Sequence, residues 1–266
     1  ATEIGAVFSA AAIAIVVLRT AIGRASDRYG RKFMFSAALL INSLSVSIYP
    51  MISKISEFAI VKSIQDVSNG IKVSVEDSII ADTFNRRIRP AYLISLGKIW
   101  PLSRTLGSAI GIVLTAYFSL AFGFYVAAFS VFVAFLIFSL FFKEKKKTRI
   151  RSVKFNPIKY SKRFKFIAAT AFMLSFVFSM TYAPAFFILA ERYLHISAST
   201  IFFLLMVSSL SAGLAIHSVE KRIKNFGRKD ILFITSILIA IFTFGYAVAS
   251  ELILLGASLI VVSVAF

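Results

Sequence analysis

The stretch Gly23-Arg24-Ala25-Ser26-Asp27-Arg28-Tyr29-Gly30-Arg31-Lys32 is a short polar segment between two long apolar ones. Residues 4–18 before it and residues 33–53 after it contain no charged side chain. Apolar segments of about 20 residues are long enough to cross a bilayer as helices. The ten residues therefore predict a tight charged turn at a membrane surface, and the rest of the chain extends this pattern.

The composition indicates a polytopic membrane protein. Of the 266 residues, 59% are hydrophobic and 29 are Phe, whereas a soluble domain averages about 45–50% apolar residues. The formal net charge of +18 would suggest a nucleic-acid partner for a soluble protein. Here the basic residues lie in connections between apolar segments, which is typical of topology signals and favours no nucleic-acid partner. Because the sequence contains no Cys, it excludes a disulfide framework, a zinc–thiolate site and a thiol nucleophile.

Nine apolar segments predict an all-α fold. They cover residues 4–23, 33–53, 57–82, 91–118, 122–142, 164–190, 198–219, 230–250 and 252–266. Most have 20 or more residues, enough to span about 30 Å of hydrocarbon at about 1.5 Å per residue, and only the last is too short. Strands of a membrane barrel would alternate apolar and polar residues, and no segment shows that alternation.

The connections between the segments alternate in charge. Those at 24–32, 83–90, 143–165 and 220–229 hold 23 of the 30 Lys and Arg residues. The connections on the opposite side hold only Lys54 and Arg192. Because Lys and Arg concentrate on the cytoplasmic side of membrane proteins, the basic set is expected in the cytoplasm, namely the loops 24–32, 83–90, 143–163 and 220–229.

The longest basic connection divides the chain in two. Residues 143–165 hold eleven Lys or Arg residues and one acid, Glu144. We interpret them as a solvated linker with some attraction for anionic lipid, worth about 1 kcal/mol per basic residue close to the surface. The predicted organisation is an N-terminal bundle at 1–142, a cytoplasmic linker at 143–163 and a C-terminal bundle at 164–266.

A weak internal repeat favours two related bundles. Asn225-Phe226-Gly227-Arg228-Lys229 lies 197 residues after Arg28-Tyr29-Gly30-Arg31-Lys32, again between two apolar segments. The offset covers six segments, as expected for a parallel duplication of a six-helix bundle. Glu220 and Lys224 stand where the first copy has glycine and aspartate, so the second copy is degenerate.

The spacing Gly-x-x-x-Asp-Arg-x-Gly-Arg-Lys resembles the signature loop of the major facilitator superfamily, a large class of secondary transporters. The matching residues are Gly23, Asp27, Arg28, Gly30, Arg31 and Lys32. The resemblance implies the major facilitator fold, in which two six-helix bundles with pseudo-two-fold symmetry rock around a central site. It also implies that the loop latches the two halves on the cytoplasmic side in the outward-open state, a role that falls on Asp27. The alternative is an ordinary basic turn that sets topology.

The resemblance also gives each apolar segment a place in the family's order of spans. The chain is then expected to lack the first span and the last two to three, and to hold spans two to nine with part of the tenth. Within the loop itself, Gly23 is expected to allow close helix packing, and Gly30 to allow a tight turn.

The segment 57–82 is unusually polar for a membrane span. It contains seven polar or charged residues, Lys62, Gln65, Asp66, Asn69, Lys72, Glu76 and Asp77. At about 100° per residue they share one helix face of about 140°. A charge facing lipid would cost about 2.5–3.5 kcal/mol near the helix centre. This face therefore predicts either a watery cavity for substrate and protons or a structural stripe of ion pairs, with Lys62–Asp66 and Lys72–Glu76 at i,i+4.

Two further stretches resemble the superfamily. Lys62-Ser63-Ile64-Gln65-Asp66 is similar to its fourth-span motif Arg-x-x-Gln-Gly, with Lys for Arg and Asp for Gly, which implies a role in proton coupling for Lys62. Residues 81–91 are similar to the loop after that span. The segment 91–118 keeps two of the five defining positions of the drug–proton antiporter pattern, with Gly107 and Gly111 predicted as a helix-packing face. In the same segment, Lys98 and Arg104 are candidate cavity cations for an anionic substrate, although Lys98 could equally snorkel to the interface.

These observations predict a proton-coupled secondary transporter that leans to drug or metabolite efflux. The alternative is proton-symport uptake of a sugar or organic anion, and a membrane enzyme or receptor is a distant third. No Ser-His-Asp set, P-loop or metal-ligand cluster is present, and His195 and His217 lie at opposite ends of one segment, so no cofactor, metal or enzymatic activity is expected. The expected partners are a small-molecule substrate, protons and the lipid bilayer. We expect a monomer in a prokaryotic-style plasma membrane.

Overall fold

The computed structural model describes residues 18, 21–23, 25–83, 89–144, 195–222, 228–248 and 251–265. Seven α-helices lie in these ranges: α1 (Arg31–Ile48), α2 (Ile55–Thr83), α3 (Arg89–Tyr117), α4 (Leu120–Phe141), α5 (Ala198–Arg222), α6 (Arg228–Val248) and α7 (Leu252–Ala265). A single 3-10 turn, Tyr49–Met51, follows α1. Across the described ranges the regular structure is all helical, which confirms the all-α class predicted from the apolar segments.

Four segments in the described ranges are long and apolar enough to cross a membrane. They are Arg31–Met51, Leu96–Tyr117, Leu120–Phe141 and Ala198–Ile216. Shorter apolar stretches lie at Phe233–Gly245 in α6 and Leu252–Val264 in α7. The helix α2 is long enough but carries the charges of the polar face described above. The predicted segment 164–190 and most of 4–23 lie outside the described residues, as do most of the linker and of the repeat at 225–229.

The chain forms two compact units that do not follow chain order strictly. The first comprises residues 1–96 and 113–146, and the second comprises residues 97–112 and 147–266. The division runs through α3, because residues 97–112 belong to the second unit and the two ends of the helix belong to the first.

In the first unit, α1 lies between α2 and α4. Small side chains on α1 allow these backbones to lie close together. Ser68 of α2 donates a hydrogen bond to the Ala38 carbonyl oxygen of α1. Ser43 of α1 donates to the Ala128 carbonyl oxygen of α4 at 2.8 Å. Towards the start of α1, the rings of Phe35 and Phe138 pack with their centroids 4.4 Å apart. The start of α1 is thereby held against the end of α4.

In the second unit, α7 packs against α5 and α6. Its core consists of buried aliphatic side chains, Ile201 and Leu205 from α5 with Leu255, Leu259 and Val262 from α7. The crossing of α6 and α7 is tight, because a Cβ atom at Gly245 would lie 2.5 Å from Ser258 Oγ. Only glycine fits at that point without displacing its neighbour.

The charged turn is shorter than the sequence predicts. Residues 25–29 are helical and α1 begins at Arg31, so among residues 25–32 only Gly30 leaves the helical conformation. Its φ of +98° lies in the left-handed region that favours glycine. The apolar segment 33–53 also ends earlier as a helix, at Ile48. Pro50 has no N–H to extend the helical hydrogen bonding, and the chain tightens into the 3-10 turn there.

Candidate functional site

The charged turn is held by a carboxylate that is remote in sequence. The first residue of α1 has no side-chain cap, because the preceding residue is Gly30. The Glu144 carboxylate takes that place and accepts hydrogen bonds from the backbone N–H groups of Arg31 at 2.8 Å and Lys32 at 3.3 Å. Unpaired N–H groups and the helix dipole make a helix start favourable for an anion. The chain just after α4 is thus attached to the start of α1.

The side chain of Arg31 ties the same turn to α2. Its guanidinium Nη1 forms an ion pair with the Asp82 carboxylate and donates to the Ser78 carbonyl oxygen. The Arg31 side chain is 12% exposed and that of Asp82 is 47% exposed. Both acceptors belong to the last turns of α2, where a cation also interacts favourably with the helix dipole. Arg31 therefore bonds to both a side chain and the backbone at the end of α2.

The other residues of the signature stretch are less embedded. Asp27 and Arg28 are exposed, and the Arg28 guanidinium lies over the Tyr29 ring at 5.7 Å from its centroid. Within the described ranges, no ion pair involves Asp27. A Cβ atom at Gly23 would have no described atom within 4 Å. The strongest contacts of the turn therefore belong to Arg31, and the role expected of Asp27 stays a prediction.

The polar face of α2 contains one well-formed ion pair. Lys62 donates to the Asp66 carboxylate, and both side chains are less than one-fifth exposed. The second predicted pair, Lys72 with Glu76, is not formed in the described structure. Because a half-buried pair replaces two separate charges, this part of α2 is less costly in a membrane than the sequence alone suggests.

Two other polar residues of this face bond to α1. Tyr49 donates through its hydroxyl to Gln65 Oε1 at 2.6 Å, and Gln65 Nε2 donates to Asn42 Oδ1 at 3.4 Å. Asn42 Nδ2 then donates to Asn69 Oδ1 at 2.7 Å. The four side chains form an interhelical chain of hydrogen bonds. Gln65 and Asn69 thus have partners on the neighbouring helix.

Replacing Asn42 by leucine is expected to lower the free energy of unfolding by about 1 kcal/mol, because interhelical hydrogen bonds in membranes are worth about 0.6–2 kcal/mol. Asn42 is buried and bonds to both Gln65 and Asn69, so the substitution removes one hydrogen bond from each of these two side chains. Reversible unfolding of the full-length protein in mixed micelles measures the change. Ser47→Ala is the control, because the Ser47 hydroxyl bonds only within its own helix, to the Leu44 carbonyl oxygen. An equal loss in both variants would contradict the interhelical role.

The candidate residues on α3 lie in the second unit. The Arg104 guanidinium lies over the Trp100 ring, 5.6 Å from its centroid, one helical turn away. A Cβ atom at Gly111 would lie 2.9 Å from carbons of the Phe202 ring of α5, whereas one at Gly107 would have no described atom within 4 Å. Further along, a Cβ atom at Gly213 would lie 3.6 Å from Pro101. These contacts place α3 and α5 antiparallel, with the Phe202 ring directly against Gly111.

Gly111→Ala is expected to lower the free energy of unfolding by about 1 kcal/mol, since overpacking costs about 1–3 kcal/mol and exceeds the helical gain of about 1 kcal/mol. Gly107→Ala makes the same helical gain without the clash and is expected to be neutral or stabilising. Thermal unfolding of the two full-length variants in one detergent compares them directly. Equal midpoints would show that Gly111 does not limit the approach of α3 to α5.

Four residues of these networks were not among the sequence candidates. Glu144 and Asp82 hold the turn, and Asn42 and Tyr49 complete the hydrogen-bond chain to α2. The signal for Glu144 was that it is the one acid in a segment with eleven basic residues. Asn42 was the one amide side chain in an apolar segment, which is costly unless it is bonded. No local pattern indicated the partner of either residue.

Comparison with known proteins gives a match over the full chain. The family model described as Major Facilitator Superfamily matches residues 1–266. The efflux pump dotC of Dothistroma septosporum is 28% identical over 167 residues, as is a second sequence of that name from strain NZE10 / CBS 128990. The matches cover 60% of this chain and 27% of each pump. The chain thus spans about a quarter of the length of the curated relatives it matches.

Proposed function

Because the chain belongs to the Major Facilitator Superfamily, we propose that it is part of a proton-coupled secondary transporter. The solute is a small molecule that crosses the membrane by alternating access between two bundles. The direction is efflux, and the solute is a drug or a metabolite. The protein acts as a monomer in the plasma membrane, with the charged turn on the cytoplasmic side.

One observation carries the proposal, namely the way the charged turn is clamped. Arg31 joins the start of α1 to the end of α2 through Asp82 and the Ser78 carbonyl oxygen. The Arg31 side chain follows Gly30 directly, so a change in the backbone conformation of Gly30 would move it. Its bonds to Asp82 and to the Ser78 carbonyl oxygen can therefore form and break together. The turn is therefore suited to act as the cytoplasmic latch of alternating access.

Proton coupling is assigned to the ion pair on α2. Lys62 and Asp66 are the half-buried charged pair of this helix, and protonation of the carboxylate would release Lys62 from it. Protonation of Asp66 would then both change the charge of the helix and break the Lys62–Asp66 ion pair. Such a link between proton binding and conformation is what proton coupling requires. Glu76 remains a candidate for the same cavity.

Efflux is favoured by the two relatives, which are named efflux pumps. Uptake of an organic anion is the second candidate. It is favoured by Arg104, a half-buried cation whose guanidinium lies against the Trp100 ring in the middle of α3.

The test is solute flux in vesicles that contain the full-length protein under an imposed pH gradient. Efflux predicts that a lipophilic cation such as ethidium moves against its gradient and that a proton ionophore stops this movement. Accumulation of an organic anion in the opposite direction would favour uptake. Flux that ignores the pH gradient would overturn proton coupling, and the absence of flux for both probe classes would overturn the assignment of substrate class.

A further inference from the structure

The carboxylate of Glu144 makes an unusual contact. It accepts hydrogen bonds from two backbone N–H groups, those of Arg31 and Lys32, from which it is separated by more than 100 residues. Most helix starts are capped by a residue at the start itself. Glu144 follows α4, which packs against α1, so the contact extends that helix packing to the chain after α4 and to the charged turn.

We propose that Glu144 is a positioning residue that fixes the charged turn to the chain leaving α4. The turn at Gly30 and the chain at Lys143 and Glu144 then move together when the latch opens. This inference deepens the proposed transport function and rests on it for its role in the cycle. The attachment itself is a property of the fold and can be measured without transport.

The geometry of Gly30 supports this role. A Cβ atom at residue 30 would lie 3.0 Å from Glu144 Oε2, so a larger residue would crowd the carboxylate. The positive φ of Gly30 also turns the next two N–H groups towards it. Gly30 therefore allows both the backbone conformation of the turn and the close position of the Glu144 carboxylate.

The charge distribution supports it as well. The turn 24–32 holds four Lys or Arg residues, and the segment 143–165 holds eleven. Glu144 is the single acid of the second segment, and its carboxylate contacts the backbone of the first at Arg31 and Lys32. The carboxylate therefore places a negative charge next to two of the four basic residues of the turn.

A second carboxylate in the chain provides a matched control. Glu57 Oε2 accepts from the backbone N–H groups of Ser53 at 3.3 Å and Lys54 at 3.4 Å, at the start of α2. The chemistry is the same, but the contact is local in sequence and lies at the opposite end of the helices. Loss of Glu57 therefore removes a cap of the same kind without affecting the turn.

The experiment measures the distance between the turn and the chain after α4. Spin labels are attached at Tyr29→Cys and Lys143→Cys in the full-length protein in lipid vesicles, since both residues are exposed and this chain contains no Cys of its own. Glu144→Ala is expected to replace a narrow distance distribution by a broad one shifted to longer distances. Glu144→Gln should give an intermediate result, because the amide oxygen still accepts a hydrogen bond. Glu57→Ala should leave the distribution unchanged.

A narrow distribution retained in Glu144→Ala would overturn the proposal, and so would equal broadening by Glu57→Ala. Solute flux in the same vesicles tests the role in the cycle. Glu144→Ala is expected to lower the maximal transport rate several-fold with little change in KM, and an unchanged rate would overturn that role. If the unsubstituted protein carries no solute, the proposed function fails while the distance measurement still decides the attachment.

Discussion

Arg31→Ala is expected to slow transport by about tenfold to thirtyfold. The substitution removes an ion pair with Asp82 and a hydrogen bond to the Ser78 carbonyl oxygen, both at the end of α2. Hydrogen bonds to charged groups contribute about 1.5–3 kcal/mol each, and the half-exposure of Asp82 keeps the net loss near the lower end. Because about 1.4 kcal/mol changes an equilibrium tenfold, a loss of this size shifts the population of the latched state by the same factor.

The measurement is the initial rate of solute flux in vesicles, normalised to the amount of folded protein. Arg28→Ala is the matched control, because Arg28 lies in the same stretch but is exposed and contacts the Tyr29 ring. Asp82→Asn should slow transport to a similar extent, and the double variant should be little worse than either single one. Additive losses, or an equal loss in Arg28→Ala, would show that the Arg31–Asp82 pair does not act as a unit.

Asp66→Asn is expected to abolish the response of transport to a pH gradient. The substitution removes the negative charge of the one half-buried ion pair described on α2, and Lys62 keeps its charge without this partner. Removing one member of a half-buried ion pair is destabilising, so the variant is also expected to be less stable. Solute flux with and without an imposed pH gradient measures the coupling.

A double variant separates coupling from stability. Lys62→Met with Asp66→Asn removes both charges, and replacing a buried ion pair by neutral groups is often neutral or stabilising. The double variant is expected to unfold like the unsubstituted protein and still to ignore the pH gradient. Asp77→Asn provides the control, since Asp77 is an exposed carboxylate of the same helix. Retention of pH-driven flux in a stable double variant would remove Lys62 and Asp66 from the proton path.

The fold class was predictable because it follows from solvent preference. Apolar segments of about 20 residues have few alternatives to a membrane helix, and the helices found begin and end within a few residues of the segments. The differences lie at the ends. α1 begins two residues before the apolar segment, at Arg31 and Lys32, and their N–H groups bond to Glu144, a partner that local sequence does not reveal. The resemblance based on the turn is confirmed by the family match over residues 1–266.

The sequence predicted which residues form the polar face of α2, but it predicted fewer of the bonds that these residues make. The i,i+4 spacing predicted the Lys62–Asp66 pair correctly, because a helix fixes which side chains are neighbours. The same spacing allowed a Lys72–Glu76 pair, which is not formed in the described structure, since spacing permits a contact without requiring it. Gln65 and Asn69 were placed on the polar face, and their bonds to Asn42 and Tyr49 required knowledge of the neighbouring helix.

The sequence by itself determined the helical segments, the family and the glycine of the charged turn, because each depends on local composition or on spacing along one segment. Only the tertiary structure decided what holds that turn. Asp82 and Glu144 reach it from the end of α2 and from the chain after α4, far away in sequence. Such pairings depend on how helices pack side by side, and packing is set by the surfaces of several helices together rather than by any one of them.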